Sequence, residues 1–318
     1  MTGAILPWHL PMMERCGRMM ESGRMPHAIL MRGRRGDGLL QAAESLVSLA
    51  LCSQPVGSSA CGQCKSCQLV AAGSHPDAMI LQPEKPSKVI KIDAVRALVK
   101  QFAHTAQIAN WKVAVLYPAN YLNTAAANAL LKTLEEPPGQ ALLVLAVDQH
   151  ARVMPTLQSR CQLIELNRPG HQKASDWLKT QGIQDAELLN ATAGEPLRAQ
   201  AWHEADTIKE WRGFRSLLVK LAEGQISLAQ AAGTAEETPI IDKVYWYMEF
   251  LKELLEQSRS NRRVSQALFQ CFDQAVEVVS ELERGTNPNL QLLNESLLMQ
   301  WQHIGANAMP AVQGAVRA

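Results

Sequence analysis

The chain has 318 residues, 47% of them hydrophobic and 5% aromatic, and a formal net charge of +1. That length suits two or three domains, and the near-zero charge excludes a polybasic nucleic-acid coat, so any DNA contact must come from a local patch or a larger assembly. No run of about 20 apolar residues occurs, so no membrane-spanning helix is expected; Met1 to Met20 lacks the basic start and apolar core of a signal peptide and is broken by Pro7 and Pro11, so a cytoplasmic location with reduced thiols is expected.

The first predicted element is a short buried strand, His27-Ala28-Ile29-Leu30-Met31. It runs into Gly33-Arg34-Arg35-Gly36-Asp37-Gly38-Leu39-Leu40, which has the spacing of a phosphate-binding loop, G-x-x-x-x-G-K-[ST]. Gly33 and Gly38 keep the frame, but Leu39 takes the place of the lysine that reaches the β/γ-phosphates and Leu40 that of the hydroxyl that holds Mg²⁺. Asp37 adds a negative charge inside the same loop. An ordinary strand-to-helix turn has the same glycines; the preceding strand, and a helical pattern of Leu39, Ala43, Leu46, Val47 and Ala50, supply the context the motif needs.

Four of the seven cysteines follow as C-x8-C-x2-C-x2-C at Cys52, Cys61, Cys64 and Cys67. Four thiolates close a tetrahedral shell around Zn²⁺ and leave no open position, which points to structural rather than catalytic zinc. Redox chemistry and unligated thiols are the alternatives. The excursion Ser53 to Ala60 is rich in Ser, Gly and Pro, as a metal-closed loop should be. His75 reads as a loop or strand-entry residue, and Cys16, Cys161 and Cys271 as small buried apolar groups.

Further strands are predicted over Ala78–Gln82, Val113–Leu116, Ala141–Ala146 and Gln162–Leu166, with helices over Ile92–His104 and Thr124–Glu136 between them. Alternating helix and strand argues for a parallel α/β sheet. Asn123 or Thr124 can cap the second helix, and Pro137-Pro138-Gly139 stops it. After Val113–Leu116 an active ATPase would place acids for Mg²⁺ and water; here Tyr117-Pro118-Ala119-Asn120 follows. Lysine, hydroxyl and acids are lost together, so no ATP hydrolysis is expected of this chain.

Beyond residue 167 the strand signals fade. A helical segment spans Gln172 to Trp202 and includes the turn Gly194-Glu195-Pro196. Three apolar stripes follow: Val244, Tyr247, Met248, Leu251, Leu254 and Leu255; then Leu268, Phe272, Ala275, Val276, Val279 and Leu282; then Leu290, Leu293, Leu297 and Trp301. They read as the core of a helical bundle, with subunit contact as an added possibility. The tail from Ala306 is expected to fray.

Several of these motifs together resemble one family, the delta-prime subunits of the bacterial DNA polymerase III clamp loader, ATPase-inactive AAA+ relatives. The matching residues are Pro7-Trp8, Pro26-His27-Ala28, the degenerate loop Gly33–Gly38, the four cysteines and His75-Pro76-Asp77. They continue with the run from Asn128 to Leu134, the Glu135-Glu136-Pro137-Pro138 that ends it, and Ser159-Arg160-Cys161. The match is dense to residue 166; beyond, it rests on length and on patterns such as Asn294-Glu295-Ser296-Leu297-Leu298.

The resemblance implies a P-loop, AAA+-like α/β domain over residues 1–166 with a zinc module at 52–67. A helical lid over 167–207 and an all-helical collar over 208–318 would follow. It implies no bound ATP at Gly33, Gly38, Leu39 and Leu40, structural zinc at the four cysteines, and Arg160 as an arginine finger placed in trans into a neighbour's ATP site. Partners would be the tau/gamma and delta subunits, with the sliding clamp and primer-template DNA met through the assembly and no membrane. Arg198, in Gly194-Glu195-Pro196-Leu197-Arg198, resembles a second sensor arginine, with a structural role as the alternative. Arg32, Arg34 and Arg35 read as solvated surface, or as facing DNA or a partner. Two other functions stay open: an active tau/gamma-like ATPase, against which Leu39 argues, and a zinc-dependent DNA-binding protein on a vestigial AAA+ frame, against which the net charge argues.

Overall fold

Strand residues alternate in the direction their side chains point, so each strand serves two layers. The structure, a computed structural model, describes residues 5–83, 89–137, 139–149, 151–233, 238–259, 261–283 and 289–316. Pro138 of the expected helix stop lies outside them. The chain divides into two compact units, one of Met1–Gln184 with Gly194–Arg198, the other of Asp185–Ala193 with Ala199–Ala318.

The first unit runs α1 (Leu10–Glu21), β1 (Ala28–Gly33), α2 (Leu39–Leu51), α3 (Lys65–Ala71), β2 (Ala78–Leu81), α4 (Ile92–Phe102), β3 (Lys112–Leu116), α5 (Thr124–Glu135), β4 (Ala141–Asp148), α6 (Pro155–Gln158), β5 (Gln162–Glu165) and α7 (His171–Thr180). All five expected strands form, in one sheet of order β2-β3-β4-β1-β5, and every pairing is parallel. β1 and β4 each run two residues beyond the apolar run that signals them, because Arg32 and Gly33 continue the ladder against Val147 and Asp148. Ile29, Met31, Val113, Val115, Leu142, Val144 and Ala146 share one core with Leu39, Leu46 and Val47 of α2. Their alternates Leu30, Ala114, Leu116, Leu143, Leu145 and Val147 pack with Leu98 of α4 and Leu130 of α5. Two-sided burial explains why these strands read as continuous apolar runs. Asn123 caps α5, its Oδ1 accepting from the Ala126 N–H at 2.8 Å.

The second unit is helical: α8 (Ala186–Ala191), α9 (Pro196–Glu204, whose first turn falls in the other unit), α10 (Ile208–Ala222), α11 (Leu228–Gly233), α12 (Ile240–Gln257), α13 (Arg262–Glu283) and α14 (Leu290–Val316). The helical segment expected over Gln172 to Trp202, with its turn at Gly194-Glu195-Pro196, is made of α7, α8 and α9, with a second break between α7 and α8. The chain turns with positive φ at Gly182 (79°) and Gly194 (76°), where a Cβ would be strained. Trp301 anchors the core, donating from Nε1 to the Leu218 carbonyl at 2.8 Å and packing edge-on against Phe250 and Tyr247. The α12 stripe is buried as expected at Val244, Tyr247, Leu251 and Leu254. The α13 stripe lies on the core at Leu268, Phe272, Ala275, Val279 and Leu282, with Cys271 and Val278 also buried; only Val276, 44% exposed, falls outside it. Leu290 is also exposed, and the helical backbone of α14 continues past Ala306, where fraying was expected, to Val316. Among the described residues no helix is long and apolar enough to cross a membrane.

Candidate functional site

The carboxyl ends of parallel strands are where α/β sheets bind ligands, and the glycine-rich loop leaves β1 there. Arg35–Asp37 form one 3-10 turn, Gly38 follows at φ 90°, and α2 begins at Leu39. Positive φ admits glycine at Gly38, and close packing demands it, since a Cβ would meet the side chains of Leu6, His9 and Leu197. Leu39 is wholly buried in the core beneath the loop. The position of the phosphate-reaching lysine has become a packing position.

Arg34 is half-buried and ion-paired with Glu195, so it is not the solvated surface residue its sequence context suggests. Arg32 is likewise half-buried, while Arg35 is exposed. Arg35 lies over the Tyr117 ring, 6.0 Å from its centre, and donates to the Tyr121 hydroxyl at 3.5 Å. The tyrosines thus hold a loop arginine after β3, where an ATPase would carry acidic residues. A carboxylate reaches the loop from another strand instead: Asp148 ends β4 directly opposite Gly33. Asp37 is buried, and burial pushes its carboxyl up to about 6, with Glu195 and Asp148 adding to the rise and Arg34 and Arg168 opposing it. Trp8 donates to the Asp37 carbonyl at 2.6 Å.

The four cysteines come together. Cys52 follows α2, Cys61 directly follows the excursion, Cys64 caps α3 and Cys67 lies in its first turn. Their sulfurs all lie within 4.8 Å of one another, with Cys52–Cys64 at 4.0 Å and Cys61–Cys67 at 3.9 Å. A tetrahedron with metal–sulfur bonds of about 2.3 Å has edges of about 3.8 Å, so the set fits one ion. The Cys61, Cys64 and Cys67 N–H groups donate to the sulfurs of Cys52, Cys61 and Cys64 at 3.3 to 3.4 Å, which favours thiolates. The cluster can therefore hold a metal ion.

Arg160 follows α6 at the entry to β5. Its Nε and Nη2 both donate to Glu135 Oε1, at 2.8 and 2.5 Å, and Nη1 donates to the Thr156 carbonyl at 3.0 Å and to Ser159 Oγ at 3.2 Å. The side chain stays 33% exposed. Ser159 also donates to the Thr156 carbonyl at 3.2 Å, and Cys161 packs against the core below. Cys16 and Cys271 are buried as expected, and Cys161 partly so.

Two residues were not singled out from sequence, Glu195 at the loop and Asp77 at the amino end of β2, away from it. Glu195 was visible only as part of a turn before a proline. Asp77 accepts from the N–H groups of Gln107, Ile108 and Ala109 at 2.7, 2.8 and 3.0 Å. Burial alone would raise its carboxyl; these donors hold it below the ordinary range. His75 enters β2 as expected, its Nδ1 accepting from the Asp77 N–H at 3.0 Å.

A family model described as DNA polymerase III, delta subunit, matches residues 9–170, which contain the loop, the cysteines and Arg160. The chain is 33% identical to the DNA polymerase III subunit delta' of Pseudomonas aeruginosa, over 93% of its own length and 97% of that protein. It is 35% identical to the subunit delta' of Escherichia coli K12, over 81% of its own length and 78% of that protein. To the DNA polymerase III subunit tau of Bacillus subtilis it is 28% identical, over 74% of its length and 43% of that protein. The chain belongs to the DNA polymerase III subunit delta' family.

Proposed function

We propose that this chain is a non-catalytic subunit of the DNA polymerase III clamp loader. It supports loading of the sliding clamp onto primed DNA and completes a neighbouring subunit's ATP site with Arg160. The observation that carries the reading is the burial of Leu39 at the position of the phosphate-reaching lysine, in a member of the delta' family. It argues against an active tau/gamma-like ATPase, the alternative that similarity to a tau subunit raises.

In this reading the partners are the tau/gamma and delta subunits, the clamp and DNA are met through the assembly, and the protein works in the cytoplasm. The P-loop-like domain spans residues 1–166, a lid 167–207 and a collar 208–318. Cys52, Cys61, Cys64 and Cys67 hold structural zinc, which ties the end of α2 to the start of α3 when bound. Arg160 suits a finger chemically: guanidinium is always charged and grips phosphate oxygens through a planar fork. It is paired with Glu135 and remains partly exposed. Arg198 is given a structural role.

The test is clamp- and DNA-stimulated ATP hydrolysis by the loader reconstituted with this chain or its Arg160→Ala variant. The expected result is intact assembly with hydrolysis reduced at least about tenfold, less than the largest effects of fingers supplied in trans. Arg160→Lys, which keeps charge but loses the fork, should recover little of it. Unchanged hydrolysis would sink the finger, and failure to assemble with tau/gamma and delta would sink the loader assignment.

A further inference from the structure

A phosphate-binding loop works because glycines let backbone N–H groups close around an anion at a helix N-terminus. In this chain an anion already lies against Gly36, inside the loop. A Cβ at Gly36 would collide with the carboxylate of Glu195 and lie 2.5 Å from its Cβ. Glu195 ion-pairs with Arg34 of the same loop, and the two side chains are 12% and 18% exposed. The next residues continue the approach, with Leu197 Cδ1 3.2 Å from a Cβ built on Gly38. Gly38, at the N-cap of α2, has no side chain with which to cap it.

We propose that Glu195 is an internal anion that occupies the degenerate loop in place of nucleotide phosphate, making it a permanent clasp on the segment Gly194–Arg198. The proposal rests on reading Gly33–Leu40 as a degenerate phosphate loop and is independent of the role given to Arg160. The surroundings fit a filled site. With Asp37 and Asp148 also at the loop, three carboxylates confront any phosphate that approaches, and Arg34 is already engaged. Loss of the loop lysine then has a counterpart elsewhere in the sequence: the charge the loop would spend on a ligand is spent on Glu195.

The experiment is amide hydrogen exchange on the full chain, as wild type, Glu195→Ala and Glu195→Gln, each with and without inorganic pyrophosphate. In wild type, exchange over 34–40 and 194–198 should be slow and indifferent to pyrophosphate. Glu195→Ala should speed both segments together on the order of tenfold, the effect of losing a charge-assisted hydrogen bond, with β3 and β4 unchanged. Pyrophosphate should slow the loop again in that variant. Glu195→Gln, which keeps the shape and removes the charge, should behave like the alanine variant. The proposal fails if wild type is protected by pyrophosphate, or if either variant exchanges at the wild-type rate. It also fails if pyrophosphate leaves the alanine variant unprotected. Failure here would leave the loader reading intact, since that stands on ATP hydrolysis by the assembly.

Discussion

Replacing a loop lysine by leucine changes where the side chain goes as well as what it carries. Leu39 lies wholly in the core, so restoring lysine there would bury an ammonium group rather than recreate an ATPase. Asp37 is the more informative residue for measurement, because its carboxyl titrates at about 6 in the fold against 3.8 ordinarily. The folded chain therefore holds the extra proton between about pH 4 and pH 6, and this residue's contribution to stability falls as pH rises through that window. Asp37→Asn should stabilise the protein at pH 7 by on the order of 1–3 kcal/mol and do nothing near pH 4. Buried His9 carries the opposite slope: burial lowers its ring to about 4 from 6.5, so its contribution is lost as pH falls between those values. The two largely cancel in wild type, and the Asp37→Asn variant should lose stability on acidification more steeply. Urea unfolding at pH 7 and pH 4.5 checks this; an asparagine variant equally destabilised at both would refute it. From sequence Asp37 is simply a charge in the loop. Its burial depends on Leu6, His9 and Trp8 arriving from earlier in the chain, which no local pattern reveals.

Among the elements, what could be read in advance was whatever local periodicity or spacing specifies. β1, β3 and β4 were legible because two-sided burial makes each a continuous apolar run, whereas β2 is half-buried and the edge strand β5 is buried only at Ile164. The ends of β1 and β4 were not legible, since Gly33 and Asp148 are strand only by pairing with each other. The α13 stripe was legible except at Val276. Leu268 and Ala275 are buried and Phe272, Val279 and Leu282 pack against the same core, but Cys271 and Val278 are the further buried positions while Val276 is exposed, a choice that packing against the neighbouring helices makes. The cysteine spacing was legible as far as one cluster, because four sulfurs with short connections can share an ion. That cluster joins two elements, and in the zinc reading metal binding there is local folding energy. Chelation, or Cys64→Ser, should speed amide exchange over 52–71 on the order of a hundredfold while β1, β3 and β4 keep their protection. Purified protein without stoichiometric metal, or a chelator without effect on that segment, would remove zinc from the account.

At the scale of the molecule, the candidate loop, the cysteine cluster and Arg160 all belong to the first unit, while the second is a helical core of its own around Trp301. Separate cores need not melt together, and a chain built this way departs from a single two-state transition. A substitution in one core should then be felt mainly by one transition. Trp301 is fully buried and satisfied by the Leu218 carbonyl, so Trp301→Ala removes a large side chain and should cost about 3–5 kcal/mol within the second unit. Leu143 lies in the sheet core of the first, where Leu143→Ala should cost about 2–5 kcal/mol. Scanning calorimetry of the full chain should resolve two transitions, with each variant lowering a different one by roughly 5–15 °C and leaving the other nearly in place. The Trp301→Ala protein should also retain the metal content and the exchange protection of the loop, because both rest on first-unit contacts. A single transition that both variants lower together would mean that the two cores unfold as one cooperative body, and the independence assigned to them would be lost.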